Sequence, residues 1–378
     1  MIVNYADFSV TNNPACYAAT TAKDYFTPRV FRAPGNRLFH NKGNGIFEDV
    51  TVAAGVNKEF GHGLGVVTAD FNNDGWPDIY VANDGDPNQL WINQKNGTFV
   101  NDALLAGCAV NRNGQAEAGM GVDAADFDGN GTEDIFITHL MDETNTLYVN
   151  LGQALFEDRT REAGLGMPGR RYTGFGTFFF DYDNDGWLDL FVANGAVQLL
   201  PELVRQKNPF PLGQPNQLFH NTGKGGFVEI GDEPEFSLRE VSRGAAFGDV
   251  DNDGDTDFLI VNNNGPARLF LNQVGNRNHW LGLRLVGKSG RDMLGAQVEI
   301  VVDANRVLRR RVRTDGSYLS ANDPRVLVGL GAATQVKLVR VRWPDGAVEE
   351  WNDVLVDRYM TLKQGFSPAK AQRRKEEL

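Results

Sequence analysis

The stretch "DYDNDGWLD", Asp181 to Asp189, puts oxygen-bearing side chains at loop positions 1, 3, 5 and 9 and a glycine at position 6. That is the head of a calcium loop of the EF-hand type. An EF-hand also needs a bidentate glutamate at position 12 and a helix on each side. Position 12 here is Val192, inside "LFVAN" (190–194). Such a β-branched and apolar run suits a largely buried strand, so the loop sits between strands. The remaining readings are a cation site, a cluster of catalytic carboxylates, and an Asx turn that merely tolerates acidic residues.

Recurrence separates them. "DFNNDGWPD" (70–78), "DFDGNGTED" (126–134) and "DVDNDGDTD" (249–257) repeat the pattern, with starts 56, 55 and 68 residues apart. Position 12 in these is Val81, Ile137 and Ile260, and a glycine stands five residues before each first aspartate: Gly65, Gly121, Gly176 and Gly244. A second signature, a leucine, a large residue and an asparagine three places on, recurs at 38–41, 90–93, 147–150, 218–221 and 269–272. In the first four a phenylalanine follows six residues later, at Phe47, Phe99, Phe156 and Phe227. Each unit therefore reads strand, Asp loop, strand, turn, strand, turn, strand, the content of one β-propeller blade. The long third spacing is explained by an insertion, 196–216, between the second and third strands of its blade, which carries a short helix or a wandering loop.

The expected ligands are the side chains at positions 1, 3, 5 and 9 and the carbonyl at position 7. These are Asp70, Asn72, Asp74, Trp76 and Asp78; Asp126, Asp128, Asn130, Thr132 and Asp134; Asp181, Asp183, Asp185, Trp187 and Asp189; and Asp249, Asp251, Asp253, Asp255 and Asp257. One Ca2+ per loop, four in all, offsets the repulsion among crowded carboxylates. Fourteen carboxylates fall at side-chain ligand positions, three in each of the first two loops and four in each of the last two. Without them the net charge of −12 becomes +2. An acidic chain of this kind is a poor general partner for nucleic acid or anionic membrane.

Near-identical loops are poor candidates for catalysis, which needs carboxylates pushed to different pKa values. The sequence has no HExxH, GxSxG or Gly-rich phosphate loop. His40 and His220 share one repeat position, which reads as structural. Asn130 heads a glycosylation sequon but is needed as a ligand, and the sequon at Asn96 coincides with an Asn-Gly hairpin turn. Cys16 and Cys108 match no zinc pattern; the expectation is two buried free thiols, with a disulfide as the alternative. No apolar run is long enough for a membrane helix, and the start "MIVNYADFSV" is not a signal peptide.

The Gly-then-Asp-loop units resemble FG-GAP or VCBS repeats, which build integrin-like propellers. "NHWLGLRLVG" (278–287), "GAQVEI" (295–300), "GSYLSANDPRVLVGLG" (316–331) and "VRVRWPDGAVEEW" (339–351) resemble the ASPIC/UnbV domain of the cartilage acidic protein-like family. The resemblance implies secreted or surface-associated calcium-binding proteins with no assigned enzymatic activity. The sequence departs from the family pattern at Phe26, where relatives carry a cysteine. It also departs in its start, because "IVNY" (2–5) aligns with "VAND" (81–84), beyond a blade's Asp loop, and in blade number. These departures make an N-terminally truncated chain the expectation, with the signal peptide lost by truncation.

The expected architecture is all-β. An integrin-like β-propeller, about four complete blades plus a partial one, occupies residues 1–275. A small β-rich domain follows at 276–365, then a disordered charged tail at 366–378. "WPDG" (343–346) is expected to turn a hairpin, with Trp343 either structural or exposed for stacking. The expected function is a non-enzymatic, calcium-binding, extracytoplasmic scaffold for an unknown protein or carbohydrate ligand. The alternative is an accessory propeller of a larger secreted hydrolase.

Overall fold

A computed structural model describes residues 1–17, 27–231 and 236–367. Phe26 and the tail beyond Ser367, on which two of the expectations rest, lie outside the described residues. The regular structure of the described chain is nearly all strand. Among the described residues three short α-helical turns accompany the sheets, at Ala103–Ala106, Gly166–Gly169 and Pro201–Arg205, the last inside the 196–216 insertion, together with four 3-10 turns.

The leading sheet pairs β1 (Phe39–Gly43) with β2 (Ile46–Asp49). A bridge between Ile2 and Arg37 adds the trace of a preceding strand, matching the alignment of "IVNY" with "VAND". The first full blade is β3 (Gly63–Ala69), β4 (Asp78–Asn83), β5 (Gln89–Asn93) and β6 (Phe99–Asn101). The second is β7 (Val122–Ala125), β8 (Asp134–Ile137), β9 (Thr146–Asn150) and β10 (Phe156–Asp158). The third is β11 (Gly174–Phe180), β12 (Asp189–Asn194), β13 (Gln217–Asn221) and β14 (Phe227–Ile230). Each is an antiparallel meander. The fourth has three described strands: β15 (Ser242–Gly248), β16 (Asp257–Asn262) and β17 (Arg268–Phe270). Of the four loop-bearing blades, three thus show four strands each.

Period-2 alternation gives each blade two apolar faces, and each blade buries one face on its neighbour. Val67, Tyr80 and Leu90 of the first blade pack on Ile135, Ile137 and Tyr148 of the second. Phe136 and Leu147 of the second pack on Leu190, Val192 and Phe219 of the third. Phe178 and Phe191 of the third pack on Phe258 and Ile260 of the fourth. The β3, β7, β11 and β15 strands line the inner side and pack on one another in that order. Their spacing explains the recurring glycines. A Cβ at Gly121 would stand 1.9 Å from the Phe175 carbonyl oxygen, and one at Gly65 would stand 2.5 Å from that of Met120. At Gly176 it would stand 2.7 Å from the Arg243 carbonyl oxygen.

The C-terminal strands form two sheets. In one, β18 (His279–Val286) lies between β21 (Val326–Gly331) and β24 (Arg358–Lys363). In the other, β19 (Gln297–Val301) lies between β20 (Val307–Arg311) and β22 (Val336–Arg342), and β22 also pairs with β23 (Val348–Val354). Leu281, Leu283, Val298, Ile300, Val339 and Trp343 fill the core between them. Trp343 is buried and donates its indole N–H to Glu349 at 3.2 Å, so "WPDG" is a hairpin turn with a structural tryptophan. Cys108 is buried, as expected, whereas Cys16 is half-buried; both are free.

Between β20 and β21 the segment 313–325 runs across the inner strands of all four blades. Asp315 accepts from the Thr68 N–H and hydroxyl on β3, at 2.7 and 2.6 Å. Ser317 accepts the Val122 N–H of β7 on its carbonyl and the Thr177 N–H of β11 on its hydroxyl, and donates that hydroxyl to the Ala245 carbonyl of β15. Asn322 takes the Phe247 N–H, and Asp323 returns its own N–H to the Phe247 carbonyl. Arg313 pairs with Asp123, an acid fully buried on β7. This hub satisfies inner-strand backbone groups that have no sheet partner on that side.

Candidate metal centres in the aspartate loops

All four Asp loops join the first strand of a blade to the second, so they share one end of the blades. Two positions bend the chain. Position 6 is glycine with positive φ in every loop (Gly75, Gly131, Gly186, Gly254), as the sequence requires. Position 4 is also left-handed, and there the chain carries Asn73, Gly129, Asn184 and Asn252. These are the residue types that tolerate that conformation, so the sequence pattern itself carries the signal.

Position 1 caps the turn from within. Asp181 accepts the N–H groups of Asp185 and Gly186 at 3.0 and 2.9 Å, and Asp70 and Asp249 repeat the arrangement. Position 9 is fully buried in every loop. Its two oxygens take the N–H of position 2 and the N–H of the third-strand asparagine. For Asp189 these come from Tyr182 at 2.9 Å and Asn221 at 2.8 Å. Asp78, Asp134 and Asp257 do the same with Asn93, Asn150 and Asn272. Position 12, which would hold the EF-hand glutamate, is a buried strand residue in all four loops.

This geometry assigns the recurring asparagine, which sequence reasoning noted without a role. In the last three blades its side-chain amide reaches the preceding blade, whereas Asn93 donates to the Pro77 carbonyl of its own loop at 3.0 Å. Asn150 donates to the Phe71 carbonyl at 2.8 Å, Asn221 to that of Phe127 at 3.0 Å, and Asn272 to that of Tyr182 at 2.7 Å. Loop, third strand and neighbouring blade are thus tied through one residue.

Carboxylates crowd in the loops. Oxygens of Asp126, Asp128 and Asp134 lie within 4.8 Å of one another, as do those of Asp181, Asp183 and Asp185, and of Asp249, Asp251 and Asp257. His220 enters the third cluster, its Nδ1 3.2 Å from Asp189, so this histidine does more than fill a strand position. Burial raises these acids. Asp78 is pushed up to about 7, and Asp189 to about 6. Asp126 rises to about 6, with Glu133 adding to the effect of burial. Burial also carries Asp134 and Asp181 well above the carboxylate range, with Asp128 and Asp189 respectively the next cause.

An all-oxygen donor set suits a hard divalent cation. The Asp126 Oδ1 atom is buried without a hydrogen-bond partner, as a ligand oxygen awaiting an ion would be. The fit differs among loops. In the first, the Asn72 amide and Lys95 ammonium both reach Asp74 Oδ2, at 3.0 and 3.3 Å, so a cation there competes with a lysine. In the second, Asn130 Oδ1 accepts the Thr132 N–H at 2.8 Å, while Thr132 Oγ1 donates to the Asn150 carbonyl. In the fourth, Asp253 accepts from the Asn276 side chain at 2.8 Å, and the Asp255 side chain, at a position valued for its carbonyl, is itself buried and raised to about 8 by burial and Asp253. Trp76 and Trp187 keep their rings at the surface, the latter against Gly223.

The C-terminal domain touches these loops. Gly329 donates its N–H to Asp181 at 3.2 Å, and the Tyr359 hydroxyl donates to Asp249 at 2.6 Å. Arg310 donates to the Gly186 carbonyl and Arg325 to that of Asp249.

A family model described as FG-GAP-like repeat matches residues 24–81, 70–137, 126–192 and 204–260, each span ending at position 12 of a loop. A model described as ASPIC and UnbV matches residues 286–369. Cartilage acidic protein 1 of Mus musculus is 27% identical over 328 residues, covering 81% of this chain and 46% of that protein. The Homo sapiens protein of that name is 27% identical over 318 residues, covering 80% and 44%. The chain therefore spans less than half the length of the curated relatives it matches. A solved Agrocybe aegerita lectin, described as recognising non-reducing terminal N-acetylglucosamine, aligns with 64% of this chain and 63% of its own at a TM-score of 0.34 and 16% identity, a likeness too low to carry an argument. Among the described residues no helix is long and apolar enough to cross a membrane.

Proposed function

The chain belongs to the FG-GAP-like repeat family and carries an ASPIC and UnbV domain, and from that premise we propose a non-enzymatic, calcium-stabilised binding scaffold that works outside the cytoplasm. The observation that carries the reading is the gathering of three carboxylates within 4.8 Å in three separate loops at the same end of successive blades. The position 1, 3, 5 and 9 side chains, with the carbonyls of Trp76, Thr132, Trp187 and Asp255, hold one Ca2+ per loop. The ion offsets carboxylate repulsion and fixes the first hairpin of each blade. Sites of modest affinity fill where calcium is near millimolar, which favours an extracytoplasmic setting. The recognised partner is a protein or carbohydrate.

The test is thermal unfolding in calcium and in EGTA. Calcium at a hundredfold excess over its dissociation constant adds about 2.7 kcal/mol per site, so the melting temperature should fall clearly in EGTA. An unchanged melting temperature would reduce the loops to turns.

A further inference from the structure

The stretch "RVLRRRVR" (306–313) sets five arginines in eight residues of an acidic chain, and neither the blades nor the Asp loops call for them. They lie on β20 and its flanks. Three are spent on acids: Arg309 pairs with Glu299 at 3.4 Å, Arg311 with Asp315 at 3.2 Å and Glu133 at 3.5 Å, and Arg313 with Asp123. Arg310 is different. Among the described residues it bonds only carbonyls, those of Arg309 and Gly186 at 2.8 and 2.9 Å.

Arg310 borders a cleft of about 540 Å³ between the blades and the C-terminal strands. That volume is in the range of small-molecule sites. Inner-strand residues such as Phe179 and Phe247 wall one side, and Val298 and Val326 the other. Besides Asp126 Oδ1, three buried polar atoms with no hydrogen-bond partner border it: Arg310 Nε, Arg311 Nε and Glu133 Oε2. Buried polar atoms are seldom left unpaired. Two donors and one acceptor fit a ligand that carries both an anionic group and hydroxyls. Arg342, exposed and without a carboxylate partner among the described residues, also lines the cleft.

The charge of Arg310 faces Asp181, Asp126 and Glu133 without a hydrogen bond to any of them. A cation in the second and third loops takes up the charge of Asp126 and Asp181. The guanidinium is then buried with too little counter-charge, a costly state that an anion relieves.

We propose that this cleft binds a sugar acid, and binds it more tightly when the loops hold calcium. The carboxylate accepts from the Arg310 Nε–H, while hydroxyls serve Arg311 Nε and donate to Glu133 Oε2. The calcium dependence rests on the loops holding their ions.

The test is calorimetric titration of D-glucuronate, with D-glucose as its neutral counterpart, into the full 378-residue chain. It is run in millimolar calcium and after calcium removal on a chelating resin. Glucuronate should bind saturably, about fivefold or more tighter in calcium, and glucose should give no saturable heat. Arg310→Lys keeps the charge but loses the planar fork, and should weaken glucuronate about tenfold. Val348→Asp changes a lining side chain that is 45% exposed. It should leave the melting temperature unchanged and weaken glucuronate about fivefold by repulsion. No saturable glucuronate heat in calcium, glucose binding as tightly as glucuronate, equal affinity with and without calcium, or Val348→Asp binding as wild type does would each overturn the proposal. Calcium titrated alone separates the two readings. Calcium taken up with no glucuronate bound sinks the cleft and leaves the loops standing, whereas no calcium uptake sinks the loops and the coupling with them.

Discussion

Gly121 is where the blade interface leaves least room. An added methyl would meet the Phe175 carbonyl oxygen at 1.9 Å, and neither inner strand can retreat without breaking its own sheet. Gly121→Ala should therefore cost at least about 3 kcal/mol in urea unfolding. Gly97→Ala, at a hairpin tip with positive φ but open space around it, should cost about 1 kcal/mol. Equal costs would mean that backbone conformation, and not strand crowding, fixes these glycines. The glycine five places before each Asp loop was visible in the sequence, but its reason was not, because the oxygen it avoids belongs to another blade. The same holds for the asparagine of the third strand. Its recurrence was legible, but the carbonyl it clasps lies 79 to 94 residues away.

At the scale of the element, the Asp loop is a hairpin whose turn is held by its own backbone N–H groups, while its charges, and buried oxygens such as Asp126 Oδ1, are left unbalanced without an ion. Ionised, its carboxylates repel; protonated, they do not. In the metal-free chain Asp78 titrates near 7 and Asp255 near 8, against about 3.9 for an unfolded aspartate. A raised folded-state value means that the contribution to metal-free stability is full below about 4. It is lost as pH rises through 7 and 8. Calcium binding needs the ionised form, so its stabilisation grows over the same window. The drop in melting temperature caused by EGTA should thus be larger at pH 8 than at pH 6; a drop that shrinks as pH rises would contradict this. The ligand positions were legible because a cation site fixes residue type at fixed spacing. Differences in fit were not: Lys95 reaches Asp74 from the β5–β6 turn, and His220 reaches Asp189 from the third strand of its blade.

At the scale of the molecule, the C-terminal domain lends one segment to the inner side of the blades. Residues 313–325 bond to the inner strand of every described loop-bearing blade. At Gly244, where the other repeat glycines face the next inner strand, the neighbours are Ser320 and the Tyr318 carbonyl. The hub takes the place of a further strand there. Asp123→Val leaves the Arg313 guanidinium buried without its carboxylate and should cost about 3–5 kcal/mol. Adding Arg313→Met should recover most of that loss, and independent, additive losses would show that the pair does not act as a unit. The blades were legible from local repeats. The docking of "DGSYLSANDPR" (315–325) was not, since its partners lie up to 247 residues away. One trace existed: Asp123 puts an acid where the sibling strands carry Val67, Phe178 and Ala246.

If the four Asp loops are cation sites that staple the blades, the chain takes up calcium in proportion to its loops. Calorimetric titration of calcium into the EGTA-stripped chain tests it most directly. Uptake should be saturable and approach four ions per chain, falling by one when Asp181 and Asp189 are both replaced by alanine. The absence of any heat beyond dilution, with the chain still folded, would contradict it.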